Sequence, residues 1–290
     1  MPNPKTLVVF DFDWSLVDED SDCIVLEKLS KPLRTKMNEL QHSMEWIDMM
    51  AVLLKELHST GTTRSQIESA LLSVPMHPSM ISCLHMAKRH NADITIMSDA
   101  NTIWIDHILI HYGVHHLIDN VITNYAEWDA SNCIAIDNNT HSQQNCNTIH
   151  SITGEKICNR NLCKGHELRR LLNLREYDNV VYVGDGVNDY CPSLQLRDTD
   201  VVCVRKGRAL EKLIKDSYGS VRAQIKYWND ADDVLEIFND VFTRGRLKSE
   251  EKERNASTRM CLARGMVAKN IPKILSSNRA VKSLENNWHL

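Results

Sequence analysis

Leu7-Val8-Val9-Phe10-Asp11-Phe12-Asp13-Trp14-Ser15 runs from an apolar segment of strand length straight into two carboxylates, one residue apart. Residues 5–10 are too apolar for a strand with one wet face, and they predict a buried strand of a parallel sheet. Alternate side chains of a strand point to opposite faces, so Asp11 and Asp13 would share a side if the strand continued. Two like charges this close repel unless a cation or a shared proton intervenes. An Asp after an apolar run is also an ordinary turn residue, and Asp-x-Asp alone does not separate the two readings. The decision rests on what the remaining chain brings to the same place.

Two further apolar runs end the same way. Ala92-Asp93-Ile94-Thr95-Ile96-Met97 predicts a strand leading into Ser98-Asp99-Ala100-Asn101. Asn179 to Val183 predicts another, ending at Gly184-Asp185-Gly186-Val187-Asn188-Asp189. Val121-Ile122-Thr123 and Asp200 to Val204 are shorter strand candidates. Helical stretches intervene: one ends near His90, one runs from Thr102 to Tyr112 before Gly113, and one runs from Lys164 to Leu172. This alternation predicts an α/β fold, a three-layer, Rossmann-like parallel sheet covered on both faces. In open parallel sheets the ligand crevice lies outside the C-terminal ends of the strands. Asp11/Asp13, Ser98/Asp99 and Asp185/Asp189 therefore converge.

Between the first two strands the pattern is helical. Leu40, Met44, Ile47, Met50, Leu54 and Leu57 recur at the spacing of one helix face, ended by Gly61. Thr63 and Gln66 have the pattern of a capping box for a helix through Leu71 and Leu72, which Pro75 and Pro78 break. Residues 22–78 thus predict a small helical cap inserted after the first strand, with 1–21 and 79–242 as the core. Residues 125–163 lack periodicity and predict an insertion or extended loop.

The 290 residues suffice for a main domain plus a smaller one. The net charge of −4 hides an asymmetry: residues 244–290 hold eleven Lys/Arg against four Asp/Glu, a local +7 that leaves −11 for residues 1–243. Residues 243–290 accordingly predict a basic, flexible tail. Nine cysteines, an odd number, show no regular disulfide spacing. With no secretion signal and no apolar run of membrane-spanning length, they predict a cytoplasmic chain with free thiols. Cys133, Cys146, Cys158 and Cys163, with His141 and His150, bring zinc into view. They lack the tight Cys-x₂-Cys pairs of structural zinc sites, so plain thiols are the expectation. No Gly-rich Walker loop occurs, and neither nucleic acid nor a membrane span is expected. Nothing in the sequence specifies an oligomeric state.

Several carboxylates, one lysine and one serine suit a phosphate ester held against a hard cation. Mg²⁺ prefers oxygen ligands and would cancel the repulsion between Asp11 and Asp185. Ser98 can donate to a phosphoryl oxygen, and Lys164 can place a positive charge there. Phosphoryl transfer needs chiefly positioning and charge neutralisation. One aspartate can attack to give a phospho-aspartyl intermediate, and the second can move the proton.

Asp11-Phe12-Asp13-Trp14-Ser15, Ser98, Lys164 and Gly184-Asp185-Gly186-Val187-Asn188-Asp189 resemble the four ordered motifs of the haloacid dehalogenase-like phosphatases. Val17 to Asp22, Ser98 to Asn101, Asn161-Leu162-Cys163-Lys164-Gly165 and Asp189 to Leu194 are similar to one subfamily. That subfamily holds the phosphoethanolamine/phosphocholine phosphatases, the pyridoxal phosphate phosphatases, and the plant thiamine-phosphate-phosphatase-like and pyrophosphate-specific enzymes. Pro75-Met76-His77-Pro78 and Met44-Glu45-Trp46 resemble the plant group most. The resemblance spans about residues 6–240. It implies Asp11 as nucleophile and Asp13 as acid/base, with Mg²⁺ held by Asp11, the Asp13 carbonyl and Asp185. It also implies Asp189 in support behind the metal, Ser98, Lys164 and Ser15 at the phosphate, and Asp22 and Asp99 at the substrate. Carboxylates there favour a cationic leaving group on a small phosphorylated metabolite. The cap would close over the site.

Three features depart from the family pattern: Ser15 where Thr is usual, Trp14 where a smaller polar residue is usual, and no proline after Cys158. Trp14 either packs on the cap or narrows the entrance. The expected activity is a Mg²⁺-dependent phosphomonoester hydrolase acting on thiamine monophosphate, phosphocholine, phosphoethanolamine or pyridoxal phosphate. Inorganic pyrophosphate hydrolysis is the alternative, and a non-catalytic phospholigand-binding protein the second.

Overall fold

A computed structural model describes residues 5–137, 146–149, 153–154, 156–158, 161–217 and 219–243. The basic segment 244–290 and both His141 and His150 lie outside the described residues. Seven strands form one sheet: β1 (Thr6–Phe10), β2 (Asp93–Asn101), β3 (Asn120–Trp128), β4 (Ile134–Asp137), β5 (Asn179–Gly184), β6 (Val201–Arg205) and β7 (Gln224–Trp228). Their order is β4-β3-β2-β1-β5-β6-β7. All neighbours pair in parallel except β3 and β4, so the sheet is mixed at one edge. β1 lies centrally, with Val8 opposite Ile94 on one side and Val181 on the other.

The pleat sorts each apolar run into two cores. Val8 and Phe10 face one cluster, with Ile94, Ile96, Val181 and Val183, whereas Leu7 and Val9 face the other, with Val180, Tyr182 and Val202. Each fully buried aliphatic or Phe side chain contributes roughly 1.5–3 kcal/mol, which is why these runs stay internal.

After β1 come α1 (Ser21–Leu29), α2 (Lys31–Leu40), α3 (Trp46–Ser59) and α4 (Arg64–Leu71). The single helical face expected over Leu40 to Leu57 is divided. Leu40 closes α2, residues 41–45 turn, and α3 starts at Trp46. Pro32 sits at the start of α2, and Ser30 Oγ caps it, two start signals that the longer periodic pattern concealed. Thr63 and Gln66 do form the capping box of α4. Val25, Leu26, Met37, Met49, Leu53 and Leu57 of this unit join the same apolar cluster as Phe10 and Ile96.

α5 (Pro78–Arg89), α6 (Thr102–His111), α7 (Lys164–Leu174), α8 (Tyr190–Ser193), α9 (Ala209–Asp216) and a final helix α10, over 231–243, follow. Residues 125–137, expected within a loop, instead complete β3 and form β4, a short antiparallel edge strand. No helix among the described residues is long and apolar enough to cross a membrane.

Candidate active site

The strand β1 does not carry on to Asp13. Asp11 N still donates to Val183 O at 2.9 Å, and then the chain makes one wide turn. Leu16 N reaches Asp11 O at 3.2 Å and Val17 N reaches Phe12 O at 3.0 Å, both i→i+5 bonds of π type, a geometry frequent at functional sites. Trp14 takes φ 59°, a genuine strain for a bulky residue. Its compensation is a pair of cations: the guanidinium of Arg208 lies 3.8 Å from the ring centroid and that of Arg205 lies 5.6 Å away. Arg205 Nη1 also donates to Trp14 O. The tryptophan thus packs against Arg205, which ends β6, and Arg208, just beyond it.

The turn separates the two aspartates. Asp11 Oδ1 accepts from Phe12 N at 2.7 Å and pairs with Lys164 Nζ at 2.7 Å. Asp13 Oδ1 accepts from Ser21 N at 2.9 Å. Burial, followed by Asp20 and Asp22, holds the Asp13 carboxyl well above the usual range. Burial, then the charge of Asp189, also raises Asp11, with Lys164 opposing.

Asp189 organises the floor of the site. Its Oδ1 accepts from Lys164 Nζ at 2.8 Å and Tyr182 Oη at 2.7 Å, and its Oδ2 accepts from the N–H groups of Asp185 and Gly186, both at 2.9 Å. Lys164, wholly buried at the first turn of α7, bridges Asp11 and Asp189. Burial alone would lower its pKa, but Asp11 and Asp189 more than offset that and hold it above the usual lysine range.

Asp185 accepts from Ser15 Oγ at 3.3 Å, and Arg208 Nε approaches its Oδ2 at 3.9 Å. Ser15, expected at the phosphate, thus lies with its hydroxyl against Asp185. Burial and the neighbouring Asp189 push the Asp185 carboxyl up to about 7.

Ser98 and Asp99 sit where β2 departs from regular pairing with β3, between Met97 and Asn101, and such irregularities re-aim side chains. Ser98 is buried and its Oγ accepts from Ala100 N at 3.1 Å. Asp99 Oδ2 accepts from Asn188 Nδ2 at 2.7 Å. Asn124 Nδ2 donates to Asp99 O at 2.7 Å, and Asn161 Nδ2 donates to Asn124 Oδ1 at 2.8 Å. Asp22 is buried with both oxygens engaged, by Trp104 Nε1 and Trp46 Nε1, each at 2.7 Å. Asn124, Tyr182, Arg205 and Arg208 also border the site, without a sequence motif that marks them. Tyr182 resembles any core aromatic of a strand, and Arg208 lies outside the four motifs.

Asp11, Asp185 and Asp189 each offer a carboxylate oxygen, all within 4.8 Å of one another. Three buried carboxylates face one buried ammonium, with two of their pKa values raised. All-oxygen donors carrying excess negative charge fit a hard divalent cation such as Mg²⁺.

The mixed seven-stranded sheet carries Asp11 just after β1, Ser98 and Asp99 near the end of β2 and Asp185 just after β5, and this fold is that of the haloacid dehalogenase-like phosphatases. The substrate-bound structure of phosphoserine phosphatase is similar in fold, with TM-score 0.53 at 12% identity, over 80% of this chain and 98% of that one. Residues 6–242 match the model of the family described as "Putative Phosphatase", and the chain belongs to that family. It is 31% identical to "Inorganic pyrophosphatase 2" of Arabidopsis thaliana, covering 87% of this chain and 89% of the relative. It is 32% identical to "Pyridoxal phosphate phosphatase PHOSPHO2" of Bos taurus, covering 72% and 86%. The chain is a phosphatase, a hydrolase acting on phosphate esters.

Proposed function

We propose that this enzyme hydrolyses a small phosphomonoester with a cationic leaving group, using Asp11 as nucleophile and Asp13 as acid/base. The observation that carries the reading is the buried Asp11–Lys164–Asp189 chain, which fixes one carboxylate oxygen of Asp11. Asp11 Oδ1 is occupied by Phe12 N and Lys164, and Oδ2 is the oxygen assigned to attack. As the Asp11–phosphorus bond forms, the ester P–O bond breaks and Asp13 delivers its proton to the leaving oxygen. Its raised pKa, caused first by burial, favours the protonated form that this step needs. Asp13 then takes a proton from the water that attacks the phospho-aspartyl group, and phosphate departs with Asp11 restored.

Asp11, Asp185 and the carbonyl of Asp13 would hold Mg²⁺, which when bound supplies charge neutralisation for the phosphoryl oxygens. Ser98 and Lys164 are assigned to the phosphate. Asp20, Asp22 and Asp99 add negative charge beside the site, which supports an ammonium, thiazolium or pyridinium-type leaving group over a polyanion. Residues 22–78 serve as the cap and 1–21 with 79–242 as the core.

Pyrophosphate is the second reading. Arg205 and Arg208, stacked on Trp14 beside Asp185, offer positive charge for a second phosphate. Comparing kcat/KM for pyridoxal phosphate, thiamine monophosphate, phosphocholine, phosphoethanolamine and pyrophosphate separates the two. Asp11→Asn is expected to lower turnover of any of them by roughly 10³-fold or more while the fold persists. Full metal-dependent activity in Asp11→Asn would sink the mechanism.

A further inference from the structure

Four cysteines that the proposed reaction does not use converge on one point. Cys146 Sγ lies 3.3 Å from Cys158 Sγ, Cys158 lies 3.5 Å from Cys163, Cys163 lies 3.6 Å from Cys191, and Cys191 lies 3.7 Å from Cys146. The ring is closed, and all four sulfurs lie within 4.8 Å of one another. Disulfide sulfurs stand about 2.05 Å apart, so none of these contacts is a bond, and all four thiols are free. A tetrahedral zinc ion with Zn–S of about 2.3 Å spaces its sulfurs about 3.8 Å apart, close to this ring. An iron–sulfur cluster would interpose bridging sulfides and hold its cysteines further apart.

The surroundings match a built site. His166 N donates to Cys163 Sγ at 3.3 Å, and Thr148 Oγ1 lies 3.2 Å from Cys191 Sγ, polar contacts of the kind that orient metal-bound thiolates. A Cβ on Gly165 would lie 2.4 Å from Cys191 Sγ, so only glycine lets α7 approach this sulfur so closely. A cavity of about 510 Å³ touches Cys146, Cys163 and Cys191, and gives an ion a way in. His166 and Arg169 line it too, basic groups beside a site that is net negative when four thiolates hold one divalent ion. The cysteine group differs from the set considered from sequence, where plain thiols are the expectation. Cys133 is not in the group, His141 and His150 lie outside the described residues, and the fourth sulfur comes from Cys191 on α8. Cys158-x₄-Cys163 has a spacing used by structural zinc sites, and the sulfur that sequence spacing did not point to is Cys191, 28 residues beyond Cys163.

We propose that Cys146, Cys158, Cys163 and Cys191 bind one structural Zn²⁺, separate from the Mg²⁺ site. Cys163 directly precedes Lys164, and Cys191 follows Asp189 by two residues. The ion therefore ties the segment before α7 to the start of α8, and pins both ends of the Lys164–Asp189 pair from behind.

The test is metal analysis of the full chain, purified without chelator after growth with zinc. One zinc per chain is expected in wild type, in Asp11→Asn and in Cys133→Ser, with loss of it in Cys158→Ser and Cys191→Ser. Should those serine variants fail to fold, wild-type protein grown with Co²⁺ in place of zinc decides the matter. It should show tetrahedral d–d bands and strong thiolate-to-cobalt charge transfer. Folded wild type that carries no zinc and takes up none under reducing conditions overturns the proposal. So does iron in its place, a cobalt spectrum without sulfur charge transfer, or zinc that leaves with Asp11→Asn and stays in the cysteine variants.

Discussion

Asp22 shows what a single buried carboxyl does to this enzyme. Its oxygens accept one indole N–H each, yet burial, then repulsion from Asp20, pushes its pKa up to about 7. The unfolded chain titrates this group near its ordinary value of about 4. Between about pH 4 and 7 the folded state therefore binds more protons than the unfolded one, and stability falls as pH rises through that window. Asp22→Asn removes this titration but offers one acceptor to two indoles, and leaving an N–H unpaired costs about 1–3 kcal/mol. The expected outcome, from urea unfolding at pH 5 to 8 without added Mg²⁺, is a less stable variant with a shallower decline, the gap narrowing towards pH 8. Parallel curves would count against it. Asp11, Asp13 and Asp185 share the sign, so some slope remains. The carboxylates, Ser98 and Lys164 were legible in the sequence because each closes an apolar run or sits in an ordered motif. The partners of Asp22 were not, since Trp46 and Trp104 stand 24 and 82 residues away and no spacing ties either indole to this carboxyl.

Among the elements, the end of β5 carries the tightest constraint. A Cβ on Gly184 would lie 2.6 Å from Asp189 Cγ and 2.7 Å from its Oδ2. That carboxylate cannot swing aside without releasing Lys164, Tyr182 or the two N–H groups that hold it. Gly184→Ala is therefore expected to cost about 1–3 kcal/mol of stability, as overpacking does. It should also lower kcat by roughly 10–100-fold, the scale of a displacement near 1 Å in a catalytic group. Paired unfolding and steady-state measurements check this, and a stable variant with unaltered kcat contradicts it. The strands β1, β5 and β6 were readable as apolar runs buried on both faces, and β2 as the apolar Ile94, Ile96 and Met97 around a buried Thr95. β7 was not, because Gln224-Ile225-Lys226-Tyr227-Trp228 is an edge strand with polar and half-exposed positions. Nor was the break between α2 and α3, where a continuous apolar stripe crosses a turn and periodicity alone cannot register it.

At the level of the whole molecule, charge and family match divide the chain in the same place. The family model ends at residue 242, just before the segment in which eleven Lys/Arg face four Asp/Glu. Every residue assigned to catalysis, Mg²⁺ or zinc lies between Asp11 and Arg208. The last described helix, α10, closes the core on its own terms: Phe238 stacks on Phe10 with centroids 5.8 Å apart, and Phe242 packs edge-on to Phe238 at 5.9 Å. A chain ending at residue 243 keeps this aromatic contact beneath β1 and is expected to retain kcat/KM within about twofold. A chain ending at residue 230 loses both phenylalanines, and Phe→Ala truncations in a core cost about 3–5 kcal/mol each. It should unfold or aggregate. Steady-state kinetics and thermal unfolding of the full chain and both shortened forms make the comparison. A large loss of activity in the 243-residue form, with unfolding unchanged, would show that the basic segment contributes to turnover and that the catalytic unit extends past α10.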